Sequence, residues 1–268
     1  MKALVIVAKI LALVVTFFAL FPLHALALRF EWPIARRLPM RFHRVAVRVL
    51  GARIVERGTR PAGHPSLVLS NHCSWIDIVV LASLAPVSFV AKSEVAGWPV
   101  FGFLARMQRS IFIDRNSRRA TGEASATIAR RLARGELVVL FAEGTTSDGN
   151  RVLPFRASLV GAARMAVDEH ALDELALQPL AITYIRRNGL PLARAERPDL
   201  CWYGDMDLVP HLAGVLTGGP FDVVVHWGEP IPFDSASDRK HATREAWMQA
   251  RRFVSDANAG RLRARSDD

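Results

Sequence analysis

The hydrophobic pattern divides the chain into four parts. An almost wholly apolar run occupies residues 1–28, a basic segment follows at 29–64, short apolar runs alternate with amphipathic stretches over 65–258, and a polar tail closes the chain at 259–268. The pattern predicts an anchor helix, a basic interfacial linker or helix, one folded domain and a frayed tail.

The N-terminal run contains 18 consecutive residues without a full charge, Ile10–Ala27. This length just reaches that of a membrane-spanning helix, and the break at Pro22 leaves open whether the helix crosses the bilayer or enters one leaflet. A secretory signal peptide is the alternative, because Lys2 and Lys9 supply a basic start and residues 25–27 read Ala-Leu-Ala.

Arginines follow the apolar run at once, and such a cluster tends to remain on the cytoplasmic side of a membrane. We therefore expect a protein held by its N-terminus at the cytoplasmic face of the inner membrane, with its catalytic bulk inside. These arginines are Arg29, Arg36, Arg37, Arg41, Arg44 and Arg48.

The stretch Pro39–Leu50 predicts a helix, since proline is tolerated at a helix start and the arginines 41, 44 and 48 recur every three or four residues. Phe42, Val45, Ala46 and Val49 fall on the opposite side. Two interpretations are open: a helix in the membrane interface over anionic headgroups, or a surface helix packed on the domain.

The remaining pattern alternates strands and helices, which favours an α/β fold with a mainly parallel central sheet flanked by helices. A proline- and glycine-containing insert at 189–219 is expected to be irregular, and to cover the site or to contact a partner. The predicted strands are Ser66–Ser70, Val87–Ala91, Ser110–Ile113, Leu137–Phe141, Leu180–Ile185 and Asp222–Trp227, and the predicted helices are Ser117–Arg134, Arg156–His170 and Ser237–Asn258.

Composition excludes several classes of protein. With 268 residues, of which 51% are hydrophobic, the chain is neither disordered nor collagen-like. Cys73 and Cys201 form no CxxC pattern, so we expect a reducing compartment and no metal site. The net charge of +10 would suit nucleic acid, but no nucleic-acid motif is present and the basic residues beside the anchor already have an explanation.

Three polar loops follow predicted strands. In the first, Asp77 lies five residues after His72, and the two meet only if the histidine is in the loop and the aspartate in the first turn of a helix. Asp77 would then hold one imidazole nitrogen and leave the other free to take a proton. Taken alone, the pair favours a structural hydrogen bond over a catalytic role.

The second loop carries Asp114 and Arg115, and the third runs from Glu143 through Thr145 to Asp148. A guanidinium at a strand end suits a phosphate or a carboxylate. A glycine-containing polar loop presents hydroxyls and amides to an anionic or polyhydroxylated ligand. Considered singly, the second loop favours a surface ion pair of Arg115, and a capped tight turn is the alternative for the third.

Together, the loops resemble the 1-acylglycerol-3-phosphate O-acyltransferases and related glycerolipid acyltransferases. The resemblance covers roughly residues 65–185, where the blocks occur in the family's order. The matching residues are Asn71-His72 with Asp77 for NHxxxxD, Phe112-Ile113-Asp114-Arg115 for the second block, Phe141-Ala142-Glu143-Gly144-Thr145 for FPEGT, Gln178-Pro179-Leu180 for the fourth block, and the segments Ala91–Glu94 and Trp98–Gly102.

This resemblance implies transfer of a fatty acyl group from acyl carrier protein or coenzyme A to a lysolipid hydroxyl, with no bound cofactor. It implies that His72 deprotonates the acceptor hydroxyl, that Asp77 orients His72 and that Cys73 takes no part. The chemistry agrees, because a thioester is already activated and a positioned base suffices. The residues expected to bind substrate are Asn71, Lys92, Arg115, Glu143, Gly144, Thr145 and Thr146.

One departure from the family bears on the acceptor. The third block usually ends in an arginine that helps to bind the acceptor phosphate, and Thr146 stands there, while Ala142 replaces the proline. In this the chain resembles the branch that acylates lyso-ornithine lipid, whose headgroup would suit Glu143, Asp148 and Asp205. Lysophosphatidate remains the alternative acceptor, since Arg115 and Lys92 offer cations.

Two further classes of function compete with acyl transfer. A lipid or thioester hydrolase lacks support because the sequence has no Gly-x-Ser-x-Gly motif. A non-catalytic basic membrane scaffold would keep its activity when His72 is replaced, whereas an acyltransferase would lose it.

Overall fold

The computed structural model describes residues 2–61, 65–114, 117–170 and 175–261, and these contain eight helices and nine strands. The helices are α1 Lys2–Arg29, α2 Leu38–Leu50, α3 Ile76–Leu84, α4 Phe101–Met107, α5 Arg118–Ala133, α6 Gly161–His170, α7 Leu208–Thr217 and α8 Arg239–Asn258. The strands are β1 Ala52–Arg57, β2 Ser66–Ser70, β3 Val87–Lys92, β4 Ile111–Ile113, β5 Leu137–Phe141, β6 Leu175–Arg187, β7 Leu190–Pro191, β8 Phe221–Trp227 and β9 Ile231–Phe233.

The strands form one sheet in the order β1-β8-β6-β2-β5-β3-β4. The five strands from β6 to β4 are mutually parallel, β8 pairs with β6 in the antiparallel sense, and β1 is parallel to β8. The short strands β7 and β9 pair with β6. This arrangement confirms the predicted α/β fold with a mainly parallel sheet.

Helices cover both faces of the sheet, as side-chain alternation along a buried strand requires. On β2, Val68 points into the core shared with α3 and α7, whereas Leu67 and Leu69 point into the core shared with α5, α6 and α8. Every residue of β2 is buried. The central strand β2 is therefore fixed from both sides.

Three segments differ from the sequence prediction. β6 extends over Leu175–Arg187, beyond the predicted Leu180–Ile185. β1 lies within residues 29–64, predicted to be a basic interfacial linker or helix, so the sheet begins before residue 65. The insert 189–219, predicted to be irregular, contains β7 and the helix α7, whose Leu208, Leu212 and Val215 recur at helical spacing. Of the predicted tail, residues 262–268 lie outside the described part of the chain.

Helix α2 packs on the domain. Its apolar side, including Ala46, Val47 and Leu50, is buried, and it lies against α3. Arginines 41, 44 and 48 are exposed on the other side, and Arg44 donates to the carbonyl of Ser83. The packed surface helix is thus the interpretation that the structure supports, with the arginine side left free for an anionic surface.

Helix α1 has the length and composition of a membrane span, with a mean hydropathy of 2.8 over its most apolar window. It nevertheless lies alongside the domain. Lys9 Nζ donates to the Leu216 carbonyl of α7 at 2.8 Å, and His24 Nε2 lies 2.9 Å from the Met107 carbonyl of α4. Between them, the ring of Phe17 contacts α2 and α4.

Candidate active site

The predicted site residues gather at the carboxyl edge of the parallel strands. His72 follows β2, Glu143 follows β5, and Lys92 ends β3. The register places Ser70 opposite both Phe141 and Leu180, so the loops after β2 and β5 leave the sheet side by side. Ligand sites of open α/β sheets occur at this edge.

His72 and Asp77 form the expected pair. His72 lies in the loop, Asp77 lies in the first turn of α3, and Nδ1 is 2.8 Å from Oδ2. The same Oδ2 accepts the backbone N–H groups of Cys73 at 2.7 Å and Ser74 at 2.9 Å. Because Oδ2 accepts the hydrogen bond from Nδ1, this nitrogen of the histidine carries the hydrogen and Nε2 has the free lone pair.

The imidazole is both held and accessible. Its ring stacks on Phe141 with centroids 3.8 Å apart, and Phe141 stacks in turn on Phe89. The side chain of His72 is 17% exposed while that of Asp77 is fully buried. The geometry therefore leaves His72 as the proton acceptor that a ligand can reach.

Tyr184 completes the environment of the aspartate and was not found by sequence reasoning. Its hydroxyl donates to Asp77 Oδ1 at 2.5 Å from the middle of β6. Burial, followed by the nearby Asp77 charge, raises the pKa of this phenol well above its usual value, so it remains a donor. The available signal was a single phenol in a strand whose buried positions are mostly apolar, with Gln178 and Thr183 as the other buried polar residues.

Glu143 and Ser147 hold the backbone of His72. The Glu143 carboxylate accepts from the N–H of His72 at 3.0 Å and from that of Leu153 at 3.2 Å. The Ser147 N–H donates to the His72 carbonyl at 2.8 Å. Burial raises the pKa of Glu143 to about 8, although these hydrogen bonds oppose the change. Glu143 is therefore a structural clamp, and its buried carboxylate is occupied by the protein itself.

Asn71 is also turned into the protein. Its side-chain amide donates to the Ile182 carbonyl at 3.0 Å and accepts the Ile182 N–H at 2.8 Å, which continues the pairing of β2 with β6. The structure thus places the side chains of Asn71 and Glu143 against backbone groups, where they position the loop, and substrate binding by either stays a prediction. That prediction follows from the family resemblance, whereas burial directs the hydrogen bonds of both side chains to the backbone.

The other predicted binding residues differ in position. Thr145 is exposed and Thr146 half-buried at the rim of the site, after a turn in which Gly144 has a φ of 76°. Lys92 is exposed at the end of β3, on the same edge of the sheet. Arg115 lies outside the described residues.

Cys73, adjacent to the catalytic histidine, is buried. A hydrogen bond with Cys201, together with burial, raises the pKa of its thiol well above the usual value. A nucleophilic cysteine needs the thiolate form. The structure therefore agrees with the expectation that Cys73 is not a nucleophile.

The insert 189–219 contacts the loop that carries His72. The Trp202 N–H donates to the Cys73 carbonyl at 2.7 Å, and Trp75 Nε1 donates to His211 Nδ1 at 3.0 Å. The ring of Trp202 meets that of Trp98 edge to face. The insert thus contacts both the loop after β2 and the segment that contains Trp98.

Comparison with known proteins places this geometry in a family. The sequence profile described as Acyltransferase matches residues 47–183. The chain is 46% identical to the lyso-ornithine lipid O-acyltransferase of Brucella abortus over 93% of this chain and 94% of that protein. It is also 46% identical to the protein of the same name from Rhizobium meliloti, over 94% of this chain and 86% of that one.

A solved structure shares the fold. The 1-acyl-sn-glycerophosphate acyltransferase of Thermotoga maritima superposes with a TM-score of 0.61 over 98% of this chain and 99% of that one, at 20% sequence identity. The matched profile includes the paired His72 and Asp77, the Glu143 clamp and the start of β6. The chain belongs to the acyltransferase family, and it is an O-acyltransferase.

Proposed function

We propose that this chain transfers a fatty acyl group from a thioester donor to the hydroxyl of lyso-ornithine lipid. The observation that carries the proposal is the identity of 46% over 93% of the chain with a lyso-ornithine lipid O-acyltransferase. It is supported at the site by Thr146, which stands where the phosphate-binding arginine of the family is expected.

The geometry supports a direct transfer. Nε2 of His72 takes the proton of the acceptor hydroxyl, while Asp77 stabilises the imidazolium that forms. The acceptor oxygen attacks the thioester carbonyl, a C–O bond forms, the C–S bond breaks, and the departing thiolate receives the proton from His72. This route needs no acyl-enzyme, in agreement with the protonated thiol of Cys73.

The headgroup site is assigned from which carboxylates a ligand can reach. Ornithine in this lipid carries an ammonium as well as a carboxylate. Glu143 is buried and occupied by two backbone N–H groups. Asp148, which accepts from Asn150 but is only half-buried, and the exposed Asp205 are the anionic side chains that we assign to the ammonium. The hydroxyls of Thr145 and Thr146 remain to bind the headgroup carboxylate.

Lysophosphatidate is the second candidate acceptor. The exposed ammonium of Lys92 lies at the same sheet edge as His72 and offers a cation for a phosphate. This acceptor would make the product phosphatidic acid. The donor of the acyl group is, in either case, the thioester of acyl carrier protein or of coenzyme A.

We further propose that α1 holds the protein in the cytoplasmic leaflet of the inner membrane. The contacts of Lys9 and His24 with the domain are 15 residues apart, or about 22 Å along a helix. A helix docked over that length lies beside the domain. Its free side carries exposed apolar residues at spacings of three and four, namely Leu4, Val7, Leu11, Val15 and Phe18.

The exposed arginines of α2 suit the anionic headgroups beside this helix. Arg41, Arg44 and Arg48 share one face of α2, and α2 contacts α1 through Phe42 and Phe17. Basic residues next to an anchor favour the cytoplasmic side. Membrane lipids are therefore the third partner of the protein, besides the acceptor and the donor.

The acceptor is identified by direct assay. Purified protein in vesicles is given acyl carrier protein thioester or acyl-coenzyme A, with lyso-ornithine lipid and lysophosphatidate in separate reactions, and the products are followed by mass. We expect the larger kcat/KM with lyso-ornithine lipid, and a preference for lysophosphatidate would contradict the proposed acceptor.

A His72→Ala variant controls the same assay. We expect its rate to fall by roughly 10²–10⁴ with an unchanged circular dichroism spectrum, because the positioned base is removed while the loop stays held by its backbone. Retained transfer by this folded variant would contradict the assigned mechanism.

A further inference from the structure

A short surface segment before and within α4 exposes four large apolar side chains, which we call the apolar ridge. Trp98 is 40% exposed, Val100 67%, Phe101 38% and Phe103 39%. Large apolar residues that are exposed next to one another mark a surface meant for another apolar phase.

The ridge is a rigid feature. The Gly102 N–H donates to the Trp98 carbonyl at 2.9 Å, and the Arg106 guanidinium donates to the Ala96 carbonyl at 2.8 Å. A Cβ at Gly102 would lie 2.4 Å from the Ala96 oxygen, so the backbone approaches too closely for any other residue. Val100 has a φ of 61°, a conformation that a β-branched residue adopts only when its surroundings impose it.

The ridge joins the anchor helix to the catalytic loop. At one end, the ring of Phe103 contacts those of Phe17 and Phe21 on α1, with centroids 6.1 Å and 6.0 Å apart. At the other end, the ring of Trp98 meets that of Trp202, whose N–H donates to the carbonyl of the residue after His72. An apolar path therefore connects α1 with the active site.

The charge of the segment indicates its partner. Between Val95 and Met107, Arg106 is the only charged residue. An acidic carrier protein would be expected to bind a surface with several basic residues, and a hydrocarbon phase would be expected to bind one without charges. Continuity with the exposed apolar side of α1 makes the lipid bilayer the partner that fits.

We propose that the apolar ridge inserts into the same leaflet as α1 and forms a second membrane contact beside the active site. The inference rests on the membrane attachment proposed above. Its consequence is that the mouth of the site lies at the bilayer surface, so that an acceptor hydroxyl reaches His72 while the acyl chain of the lysolipid stays in hydrocarbon.

A fluorescent label tests the insertion independently of activity. Cys73 and Cys201 are buried, so a single introduced cysteine is labelled selectively with an environment-sensitive dye. The positions are Val100→Cys on the ridge, Phe18→Cys on the exposed side of α1 as the positive control, and Leu190→Cys, 71% exposed on β7, as the negative control. The full-length variants are placed in phosphatidylethanolamine–phosphatidylglycerol vesicles containing a lipid with a quencher on its acyl chain.

We expect quenching at positions 100 and 18 but not at position 190. If position 18 is quenched and position 100 behaves like position 190, the anchor stands and the ridge proposal fails. If neither is quenched, the membrane attachment itself fails and the ridge proposal with it. The proposal would also be overturned if the fluorescence of the dye at position 100 responded to added acyl carrier protein and not to lipid.

A kinetic test uses Val100→Asp with Leu190→Asp as the matched control. We expect Val100→Asp to lower kcat/KM about tenfold for long-chain lysolipid in vesicles, and to leave it unchanged for a short-chain lysolipid dissolved as monomers. Leu190→Asp should change neither value. An equal loss with both forms of acceptor, or no loss with vesicles, would contradict the proposal.

Discussion

Tyr184 supplies the fourth donor to the carboxylate that orients His72, and its contribution is measurable. In Tyr184→Phe the ring still packs against Phe221, but Asp77 Oδ1 loses its hydrogen bond. The less compensated carboxylate then stabilises the imidazolium more strongly. We expect the acidic limb of the pH profile of kcat/KM to move upward by about 0.5–1 pH unit.

The pH profile separates positioning from mere packing in this variant. A residue that served only to fill the core would change the rate by the same factor at every pH. Such a uniform loss would show that the phenol hydroxyl does not act through Asp77.

Glu143 gives a second kinetic prediction, because the structure assigns it to the backbone of His72 and not to the acceptor. In Glu143→Gln one of the two backbone N–H groups faces an amide NH₂ and loses its acceptor. At a pH above 8, where the Glu143 carboxyl of the unmodified protein is ionised, we expect the substitution to lower kcat about tenfold with KM for the acceptor nearly unchanged. A matched Thr146→Val variant should raise KM instead, and a rise in KM for Glu143→Gln would restore it as a headgroup ligand.

The same carboxyl makes stability depend on pH. Burial raises the pKa of Glu143 from 4.5 to about 8, so between these values the folded protein retains a proton that the unfolded chain releases. The free energy of unfolding should therefore fall as the pH rises through this window and level off above it. Urea unfolding at several pH values measures how the free energy of unfolding changes with pH. In Glu143→Gln the contribution of Glu143 to this change should be absent. Equal pH dependence in the variant and the unmodified protein would contradict the raised pKa.

At the scale of elements, apolar runs were enough to predict the inner strands. β5 is a continuous run of apolar residues, and β2 has three apolar residues between two buried serines, which is the pattern of strands covered on both faces. β1 escaped prediction because it lies at the sheet edge, where its six residues alternate between half-buried and exposed and include Arg53, Glu56 and Arg57. This strand forms because it pairs with β8, in which each partner residue lies 169 positions later in the sequence, as in Ala52 with Phe221.

Gly58 tests whether β1 is part of the folded sheet. A Cβ at Gly58 would lie 2.0 Å from the Trp227 carbonyl of β8, whereas nothing lies within 4 Å of a Cβ at Gly135. Both glycines have positive φ, so alanine costs about 1 kcal/mol at either position from backbone strain alone. We expect Gly58→Ala to lower the free energy of unfolding clearly more than Gly135→Ala in detergent, and equal losses would contradict the pairing.

At the scale of the whole molecule, the docking of α1 predicts its topology. Because Lys9 and His24 both bind the domain, the N-terminus and the domain should lie on one side of the membrane. A cysteine added ahead of Met1, in sealed vesicles with the domain outside, should react with a membrane-impermeant thiol reagent without lysis of the vesicles. Labelling only after lysis would show that α1 crosses the bilayer.

The sequence by itself determined the features that depend on local order. The apolar run of α1, the alternation of strands and helices, and the spacing of His72 and Asp77 all follow from periodicity or from motifs read along the chain. The catalytic pair was predictable because its two members are five residues apart, and one strand end followed by a helix start brings them together.

Tertiary structure decided which polar groups are free. Asn71 directly precedes His72 in the sequence, and Glu143 belongs to a second polar loop that lies beside His72 in the fold. The side chains of both are nevertheless bound to backbone groups that distant segments supply. Tyr184 reaches Asp77 across 107 positions, and the ridge meets α1 and Trp202 only in the folded chain. The reason is physical: a buried polar group must be satisfied by whatever packs against it, and that partner is set by the packing of strands and helices, not by the neighbours along the sequence.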